Sequence, residues 1–429
     1  MDTTSSTVEI EKELHRKIKE RTLLDKEWKL PSELNMNYLR LTNVYRNEYD
    51  DEQKRDIYHF FDVLLMKSTY YEDKTRLSYQ ESIDKMQQTY TNSLPIDERN
   101  DKVKLPDYCN NRVDVIWTFV NGSDPHWIKT YEDKMKVKIE KQRFREYGSL
   151  KYSMRSVFEN LPYVHWHLIV QDEYQIPTFL DKSKLIYYND ESTPGSLRII
   201  YHRDYFPDPS VLPVFNSNAI EIAMYNLKGV GECFIYLNDD FFINSPVHPS
   251  LIFTEKGQII TRFDYVYTNS PKDKGIMYDK ANANAVELIN KYLNEPLRRH
   301  RSSHHWGIMR TSVLKKGGEL FSDEFKKTCE NPLRTEKDIG FYTFLDNFMY
   351  REGYSIQLFN NPKTEKRVSL QKVDKPNRNL FENEISKKKH PFVCINDDMK
   401  GDEVVIKQTI EYFVTQMENN YPNKSPFEL

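Results

Sequence analysis

The stretch DVIWTFVNGSDPHW, residues 114–127, joins a run of strand-forming residues to an abrupt polar turn. Residues 115–120 all favour strands, and Asn121-Gly122-Ser123-Asp124-Pro125 ends the run. In parallel α/β sheets, ligands bind at the carboxyl ends of the strands. The stretch therefore predicts a buried strand whose following turn, residues 121–124, meets a substrate.

Strand-like and helix-like segments alternate downstream of about residue 113. The strand-like runs are residues 113–120, 166–170, 197–201 and 233–237, and the helix-like stretches include 149–160 and 217–227. This alternation predicts an α/β domain with a mainly parallel sheet flanked by helices. A helical insertion is expected at about 281–349, then a short strand with an acidic turn at 392–403 and a last helix at 404–418.

The N-terminal quarter of the chain differs in composition and apolar spacing from the rest. Residues 1–105 contain no glycine and show helix-like apolar spacing, so we predict a helical N-terminal segment before a catalytic domain at 106–429. The spacing by itself is typical of a packing element without chemistry. Its role stays open.

Composition excludes several classes of protein. The 65 acidic and 62 basic residues leave a net charge of −3, which argues against a nucleic-acid partner. No membrane-spanning run and no signal peptide are readable, so a cytoplasmic or membrane-peripheral protein is expected. The sequon at Asn121, inside the proposed substrate turn, also favours the cytosol. The four cysteines form no CxxC pair and imply neither a zinc site nor a disulfide framework. Oligomeric state stays open.

Three groups of residues have chemistry suited to a reaction. The run CFIYL ends in Asn238-Asp239-Asp240, which either holds a divalent cation or sugar hydroxyls or caps a turn. Strand alternation predicts that Asn238 and Asp240 point one way and Asp239 the other. Arg155, on an amphipathic stretch, is a candidate phosphate ligand. His304 or the adjacent histidine is a candidate general base, and patterning alone does not choose between them.

Six segments, in order, resemble the motif blocks of the Stealth family. That family includes capsular polysaccharide phosphotransferases and the catalytic subunit of N-acetylglucosamine-1-phosphotransferase. The segments fall at about 113–127, 143–180, 201–247 and 304–350, and as FVCINDD and SPFEL in the tail, 392–429. The resemblance implies a nucleotide-sugar-transferase-like fold. Because Arg334 follows His304 by thirty positions, as in the eukaryotic enzyme, the resemblance selects His304 as the catalytic histidine.

The resemblance also assigns roles to the other residues that match the blocks. The catalytic set is His304, Arg334, Asp338, Asn238 and Asp240, and the substrate-binding set is Asp114, Trp117, Asn121, Gly122, Asp124, Arg155, Ser217 and Glu221. Within the catalytic set, Asp338 is expected to orient or tune His304. Mg²⁺ or Mn²⁺ is expected to bridge phosphate oxygens and a carboxylate, with Asp240 as the first candidate ligand.

The implied reaction is transfer of a sugar 1-phosphate, from an N-acetylhexosamine or hexose UDP-sugar, to a hydroxyl of a glycan or glycoprotein acceptor, with release of UMP. Two alternatives stay open. One is an ordinary glycosyltransferase that releases UDP, and the other is a non-catalytic glycan-binding protein. Eukaryotic members of the family act in the Golgi lumen, so the resemblance also leaves that compartment open.

Overall fold

The structure is a computed structural model of the 429-residue chain. It describes residues 16, 103–139, 141–161, 164–190, 196–267, 276–294, 299–304, 306–359, 365–370, 381–399 and 402–429. The predicted N-terminal helical segment lies outside these residues, apart from Arg16 and residues 103–105. The described residues form two compact units, and the predicted catalytic domain, 106–429, contains parts of both.

The larger unit holds residues 105–249, 304–341 and 362–429. Its main sheet has the strand order β3-β4-β2-β1-β5-β9. All neighbours are parallel except β9, which runs antiparallel to β5 at one edge. The mainly parallel α/β sheet predicted from the sequence is confirmed. The strands are β1 (Val113–Thr118), β2 (Val164–Val170), β3 (Leu185–Tyr187), β4 (Leu197–Tyr201), β5 (Cys233–Asn238) and β9 (Gly307–Arg310).

Helices pack on both faces of this sheet. On one face, Trp117 of β1 donates its indole N–H to Ser153 of helix α2 at 2.9 Å. On the other face, Tyr236 of β5 bonds to Glu221 of helix α4. Adjacent side chains alternate along a strand, so successive residues of β1 serve opposite faces. The helices of this unit are α1 (Pro125–Met135), α2 (Ser149–Asn160), α3 (His202–Tyr205), α4 (Ser217–Ile222), α6 (Thr311–Leu320), α7 (Ser322–Cys329) and α9 (Glu403–Asn420).

A second sheet of the larger unit has the order β11-β12-β6, with β6 antiparallel to β12. It is built from β6 (Phe241–Ile243), β11 (Glu365–Leu370) and β12 (Phe392–Asp397). Because β6 follows β5 after only two residues, Asp239 and Asp240 form the turn that connects the two sheets. The predicted strand in the tail is thus β12, and the predicted last helix is α9.

The smaller unit contains residues 250–303 and 342–361 among those described. Its sheet has the order β10-β7-β8, from β7 (Ile259–Tyr267), β8 (His300–Ser302) and β10 (Ser355–Phe359). Its helices are α5 (Met277–Leu293) and most of α8 (Phe341–Arg351). The region predicted as a helical insertion, 281–349, contains α6, α7 and most of α5 and α8, with the short strands β8 and β9 between α5 and α6.

A disulfide joins Cys109, just before β1, to Cys233 at the start of β5. The sequence did not imply one, because the two cysteines are 124 residues apart and belong to no short motif. Only the sheet brings them together. Within the part of the chain that the structure describes, no helix combines the length and apolar character that crossing a membrane requires.

Candidate active site

The carboxyl ends of β1 and β5 lie side by side, with Thr118 in register with Asn238. After β1 the chain adds β2 and β4 on one side of it and then returns to add β5 on the other. This reversal is a topological switch point, the place where open α/β sheets bind ligands. The candidate site therefore begins at Thr118 and Asn238.

The turn after β5 presents two adjacent carboxylates. Asp239 accepts a hydrogen bond from Ser149, the first residue of α2, at 3.1 Å. Asp240 contacts the thiol of Cys394 on β12, with Oδ2 and Sγ 3.6 Å apart. Because both residues lie beyond the end of β5, strand alternation does not govern them. Each is held by a different neighbouring element, and the predicted alternation stops at Asn238.

Cys394 also contacts the candidate general base. Its Sγ lies 3.8 Å from Nδ1 of His304, whose ring packs edge-on against Phe241 at 5.4 Å between centroids. Burial raises the pKa of the Cys394 thiol well above its usual range, so the thiol stays protonated. His304 and Asp240, 64 positions apart in the sequence, are thus brought to a single sulfur atom.

Burial raises the pKa of Asp239 and of Asp240, and the charge of Asp240 adds to the rise at Asp239. The guanidinium of Arg367 acts in the opposite direction on Asp240. Two neighbouring carboxylates therefore resist being ionised together. A cationic ligand at this turn lowers that repulsion.

On the other side of Asn238 lies a hydrogen-bonded set around Tyr236. Its hydroxyl lies 2.9 Å from Thr118 Oγ1, 3.0 Å from Asn238 Oδ1 and 3.1 Å from Glu221 Oε1. Burial raises the pKa of Glu221 to about 7, against the opposing effects of Arg334 and of the hydrogen bond from Tyr236. Sequence reasoning missed Tyr236, although strand periodicity places it on the same face as Asn238.

Arg334 reaches the same region from the loop after α7. Its Nη2 donates to Ser217 Oγ at 2.6 Å, and its Nε donates to the same oxygen at 3.2 Å. Buried Asp338 holds this loop against the start of α4. Its carboxylate accepts hydrogen bonds from the side chains of Asn216, Asn218, Asn331 and Thr335, and from the Thr335 backbone N–H.

The Asn121–Asp124 turn, the opening feature of the sequence, lies just beyond β1 and is tightly built. A Cβ on Gly122 would stand 2.3 Å from the carbonyl oxygen of Phe144, so only glycine fits there. Asp124 caps α1 by accepting from the Trp127 N–H at 2.7 Å. The backbone N–H of Asn121 donates to Gln175 Oε1 at 2.7 Å. The contacts of Asp124 are those of a helix cap, and the turn shapes the end of β1.

The structure does not support a substrate-binding role for Asp114 or Trp117. Asp114 lies near the amino end of β1 and is completely buried, and it is paired with Arg112 and His167 and with the Gly231 N–H. Burial opposes its ionisation, but these hydrogen bonds hold its pKa down at about 2. Trp117 is also completely buried under α2. The contacts of both residues are therefore those of the folded core, and their substrate-binding roles stay predictions.

Arg155, the candidate phosphate ligand, is buried and paired within the protein. It is only 2% exposed, and its guanidinium donates to Glu428, Glu418 and the Tyr421 carbonyl. It therefore fastens the C-terminal segment onto α2. This contact was not predictable from local pattern, because the acidic partners lie more than 260 residues away along the chain.

Among the described residues, no cluster of three or more His, Cys, Asp or Glu side chains has the geometry to hold a metal ion. The Asp239–Asp240 turn offers two carboxylates. That number fits Mg²⁺, which proteins commonly hold through one or two carboxylates together with substrate phosphates and water. The residues present are thus compatible with an ion that a phosphate-bearing substrate helps to hold.

A mainly parallel sheet with acidic, amide, imidazole and guanidinium groups near its switch point is the arrangement of an α/β protein with a candidate ligand site at its strand ends. Residues 143–261 match the family profile described as Stealth protein CR2, conserved region 2. The resemblance to the Stealth family predicted from the motif blocks is confirmed. The matched range contains α2, α4 and the turn after β5.

Two curated relatives are both named as exopolysaccharide phosphotransferases. The chain is 28% identical over 362 residues to the exopolysaccharide phosphotransferase cps2G of Lactiplantibacillus plantarum, covering 74% of this chain and 96% of that one. It is also 28% identical over 342 residues to an exopolysaccharide phosphotransferase of Streptomyces coelicolor, covering 76% of this chain. The chain spans about half, 53%, of that second relative.

A solved structure of the galactosyltransferase LgtC, in complex with donor and acceptor sugar analogs, overlaps 72% of this chain and 97% of its own. The TM-score is 0.37 and the sequence identity is 10%.

Proposed function

We propose that this protein transfers a sugar 1-phosphate from a UDP-sugar to a hydroxyl of an acceptor glycan and releases UMP. The observation that carries the proposal is the meeting of His304 and Asp240 at Cys394, beside a strand end that also holds Asn238. A general base and a strand-end acidic turn are the groups that phosphoryl transfer to a hydroxyl requires. The names of the relatives support the same reaction class.

In the proposed reaction, the oxygen of the acceptor hydroxyl attacks the phosphorus that bears the sugar. The bond between that phosphorus and the bridging oxygen breaks, and UMP leaves with the bridging oxygen. His304 takes the proton of the attacking hydroxyl through its Nε2, because Nδ1 faces Cys394. Sugar and phosphate therefore move together, as a phosphodiester.

Arg334 offsets the charge that redistributes on the transferred group. Its side chain is exposed, and two of its five N–H donors point at Ser217, which leaves a planar edge for phosphate oxygens. Asp338 acts indirectly, because its carboxylate holds the loop that carries Arg334. We assign Asp338 a positioning role, where the sequence had led us to expect that it orients His304.

Asp240 and Asp239 are the residues that would hold Mg²⁺ or Mn²⁺ beside the donor phosphates. A divalent ion there supplies charge neutralisation for the diphosphate and the leaving nucleotide. It also makes ionisation of both carboxylates favourable at neutral pH, against the burial that raises the pKa of each.

The test is to identify the nucleotide that leaves. The protein is incubated with a UDP-sugar, UDP-N-acetylglucosamine first, and with acceptor glycans; nucleotides are separated by chromatography and products examined by ³¹P NMR. UMP with a phosphodiester product is expected. UDP without phosphodiester contradicts the proposal and identifies an ordinary glycosyltransferase, whereas binding without turnover of any UDP-sugar identifies a glycan-binding protein.

The role of His304 has its own control. His304→Ala is expected to lower kcat by about 10²–10⁴-fold, the usual contribution of general-base catalysis. His248→Ala, a half-exposed histidine of the same unit, is the matched variant and should leave kcat unchanged. A loss below about tenfold at His304 argues against its role as the base.

A further inference from the structure

The hydroxyl of Tyr236 lies among three hydrogen-bonding partners from three different elements. Thr118 Oγ1 of β1 lies 2.9 Å away, Asn238 Oδ1 of β5 3.0 Å away, and Glu221 Oε1 of α4 3.1 Å away. All of these distances are within hydrogen-bonding range, so each contact needs a proton between its two heavy atoms. A phenolic hydroxyl donates one hydrogen bond and accepts two.

The protons can be distributed in two ways. If Glu221 is protonated, it donates to Tyr236, Thr118 also donates to Tyr236, and Tyr236 donates to Oδ1 of Asn238. If Glu221 is ionised, it can only accept, so Tyr236 must donate to it. The Asn238 contact then keeps a proton only when the carboxamide turns and donates from Nδ2.

The charge state of Glu221 thus selects which end of the Asn238 amide faces Tyr236, and therefore which end faces the partly exposed side at the strand end. In the structure Oδ1 of Asn238 lies 3.0 Å from the Tyr236 hydroxyl, and the Nδ2 donors point away from the buried set. Of the two distributions, the one with a protonated Glu221 gives the Tyr236–Asn238 contact a proton while Oδ1 is in this position.

The surroundings of Glu221 place its pKa near neutral pH, where both of its charge states are populated. Burial raises its pKa to about 7, with Arg334 and the Tyr236 hydroxyl acting in the opposite direction. From the short helix α3, Tyr205 also interacts with it electrostatically. The cation that holds the pKa of Glu221 down is Arg334, the exposed residue that the proposed function assigns to the transferred phosphate. An anion bound to Arg334 therefore favours the protonated carboxyl.

We propose that Tyr236 is a positioning residue that couples the orientation of the Asn238 carboxamide to the protonation of Glu221, and that the protonated state offers the Asn238 N–H groups to the donor diphosphate. This inference rests on the proposed function and extends it to the residues that select the diphosphate. A neutral Glu221 also removes a negative charge from beside the phosphate. Donor binding is then accompanied by proton uptake.

Donor affinity provides the first test, measured by calorimetry with UDP-N-acetylglucosamine and without acceptor. Because the fraction of protonated Glu221 falls to about 1/30 at pH 8.5, the wild-type Kd should rise about 30-fold between pH 5.5 and 8.5. Glu221→Gln keeps a donor toward Tyr236 at every pH and should show a Kd that changes less than about threefold. Equal pH dependence in the two proteins overturns the inference.

Tyr236→Phe removes the coupling and should weaken donor binding at low pH, and it should reduce the pH dependence to the part that the charge of Glu221 exerts directly through Arg334. Tyr421→Phe is the matched control, because Tyr421 is also a completely buried tyrosine whose hydroxyl bonds to an asparagine, Asn244. Unchanged donor affinity in Tyr236→Phe, or an equal loss in Tyr421→Phe, also overturns the inference.

The second readout does not depend on activity. In ¹⁵N-asparagine-labelled protein, the side-chain amide signal assigned by its loss in Asn238→Asp should move with pH in wild type and stay still in Glu221→Gln and Tyr236→Phe. A static wild-type signal overturns the coupling. If the signal moves but no UDP-sugar binds, the coupling stands, whereas the diphosphate assignment and the proposed function both fail.

Discussion

Replacing Asp338 by asparagine separates two roles that this residue has been given. The sequence led us to expect a carboxylate that tunes His304, whereas the structure shows one that holds the Arg334 loop. Oδ2 of Asp338 accepts from Asn216 at 2.8 Å, from the Thr335 N–H at 3.0 Å and from Asn218 at 3.2 Å. Oδ1 accepts from Asn331 and from the Thr335 hydroxyl, each at 2.8 Å.

An asparagine at this position keeps the shape but turns one acceptor into a donor. The new NH₂ group is accommodated best at the position of Oδ1, because the Thr335 hydroxyl can rotate there and accept a hydrogen bond from it. At that position, however, the new NH₂ group also faces the NH₂ group of Asn331, and two donors cannot bond to each other. One buried hydrogen bond to a charged acceptor is lost and the others weaken, so we expect a loss of about 3–5 kcal/mol in the free energy of unfolding. A shift of about 1 Å at Arg334 is expected to lower transfer by about 10²-fold.

The measurements are thermal unfolding and the pH dependence of kcat and kcat/KM. Asp208→Asn is the control, because that carboxylate caps a single exposed turn at Ser210, and no measurable change is expected there. In Asp338→Asn both the midpoint of unfolding and the donor KM should change, with the pH profile of kcat unchanged in shape. If the pH profile of kcat shifts in Asp338→Asn while its stability and donor KM stay at wild-type values, the reasoning is refuted. Asp338 would then act on His304, as the resemblance implied.

Three further predictions concern buried groups. Cys394→Ala should lower kcat about tenfold, because the catalytic imidazole loses the contact that positions it, whereas Cys329→Ala at the other buried free thiol should not; equal kcat values contradict this. Replacing Cys109 and Cys233 by serine should lower the free energy of unfolding by about 5 kcal/mol, because the disulfide closes a long loop, and an unchanged denaturation midpoint contradicts this. Burial raises the pKa of Asp346 from 3.8 to about 7, so the stability that its neutral form provides is fully present only below the unfolded-state value and is lost as pH rises from about 4 to about 7. The gain in melting temperature of Asp346→Asn over wild type should therefore be larger at pH 8.5 than at pH 4, and a gain independent of pH contradicts this.

The main sheet was predictable because its strands carry their own signals. The runs 197–201 and 233–237 differ from β4 and β5 by at most one residue, and the helix-like stretch 149–160 matches α2. Alternation of such segments fixes a parallel α/β sheet, and the switch point then places the site at the carboxyl ends of the strands. The position of the Asn238-Asp239-Asp240 segment therefore followed from local pattern alone.

The burial of individual polar residues was not predictable, because it depends on partners far away in the sequence. The local sequence around Arg155 is the same whether its guanidinium contacts a phosphate or Glu428. The contact with Glu428 becomes visible only when the C-terminal segment is folded. Asp114 opens the matched motif block but lies at the wrong end of β1 for a ligand at the strand ends. The presence of an ionisable residue in a motif block thus did not distinguish a structural ion pair from a site residue.

The three residues after the apolar part of β5 divide the candidate site into two sides. Asn238 still belongs to the strand, so it is held by hydroxyls on neighbouring strands and connects to Glu221 and Arg334. Asp239 and Asp240 belong to the turn, so they are held by α2 and β12 and connect to His304 through Cys394. In the proposed reaction, the change from strand to turn between adjacent residues allows groups on the two sides to face one substrate. An insertion or deletion here should therefore abolish transfer even where the sheet still forms, because it separates the base from the phosphate-binding side.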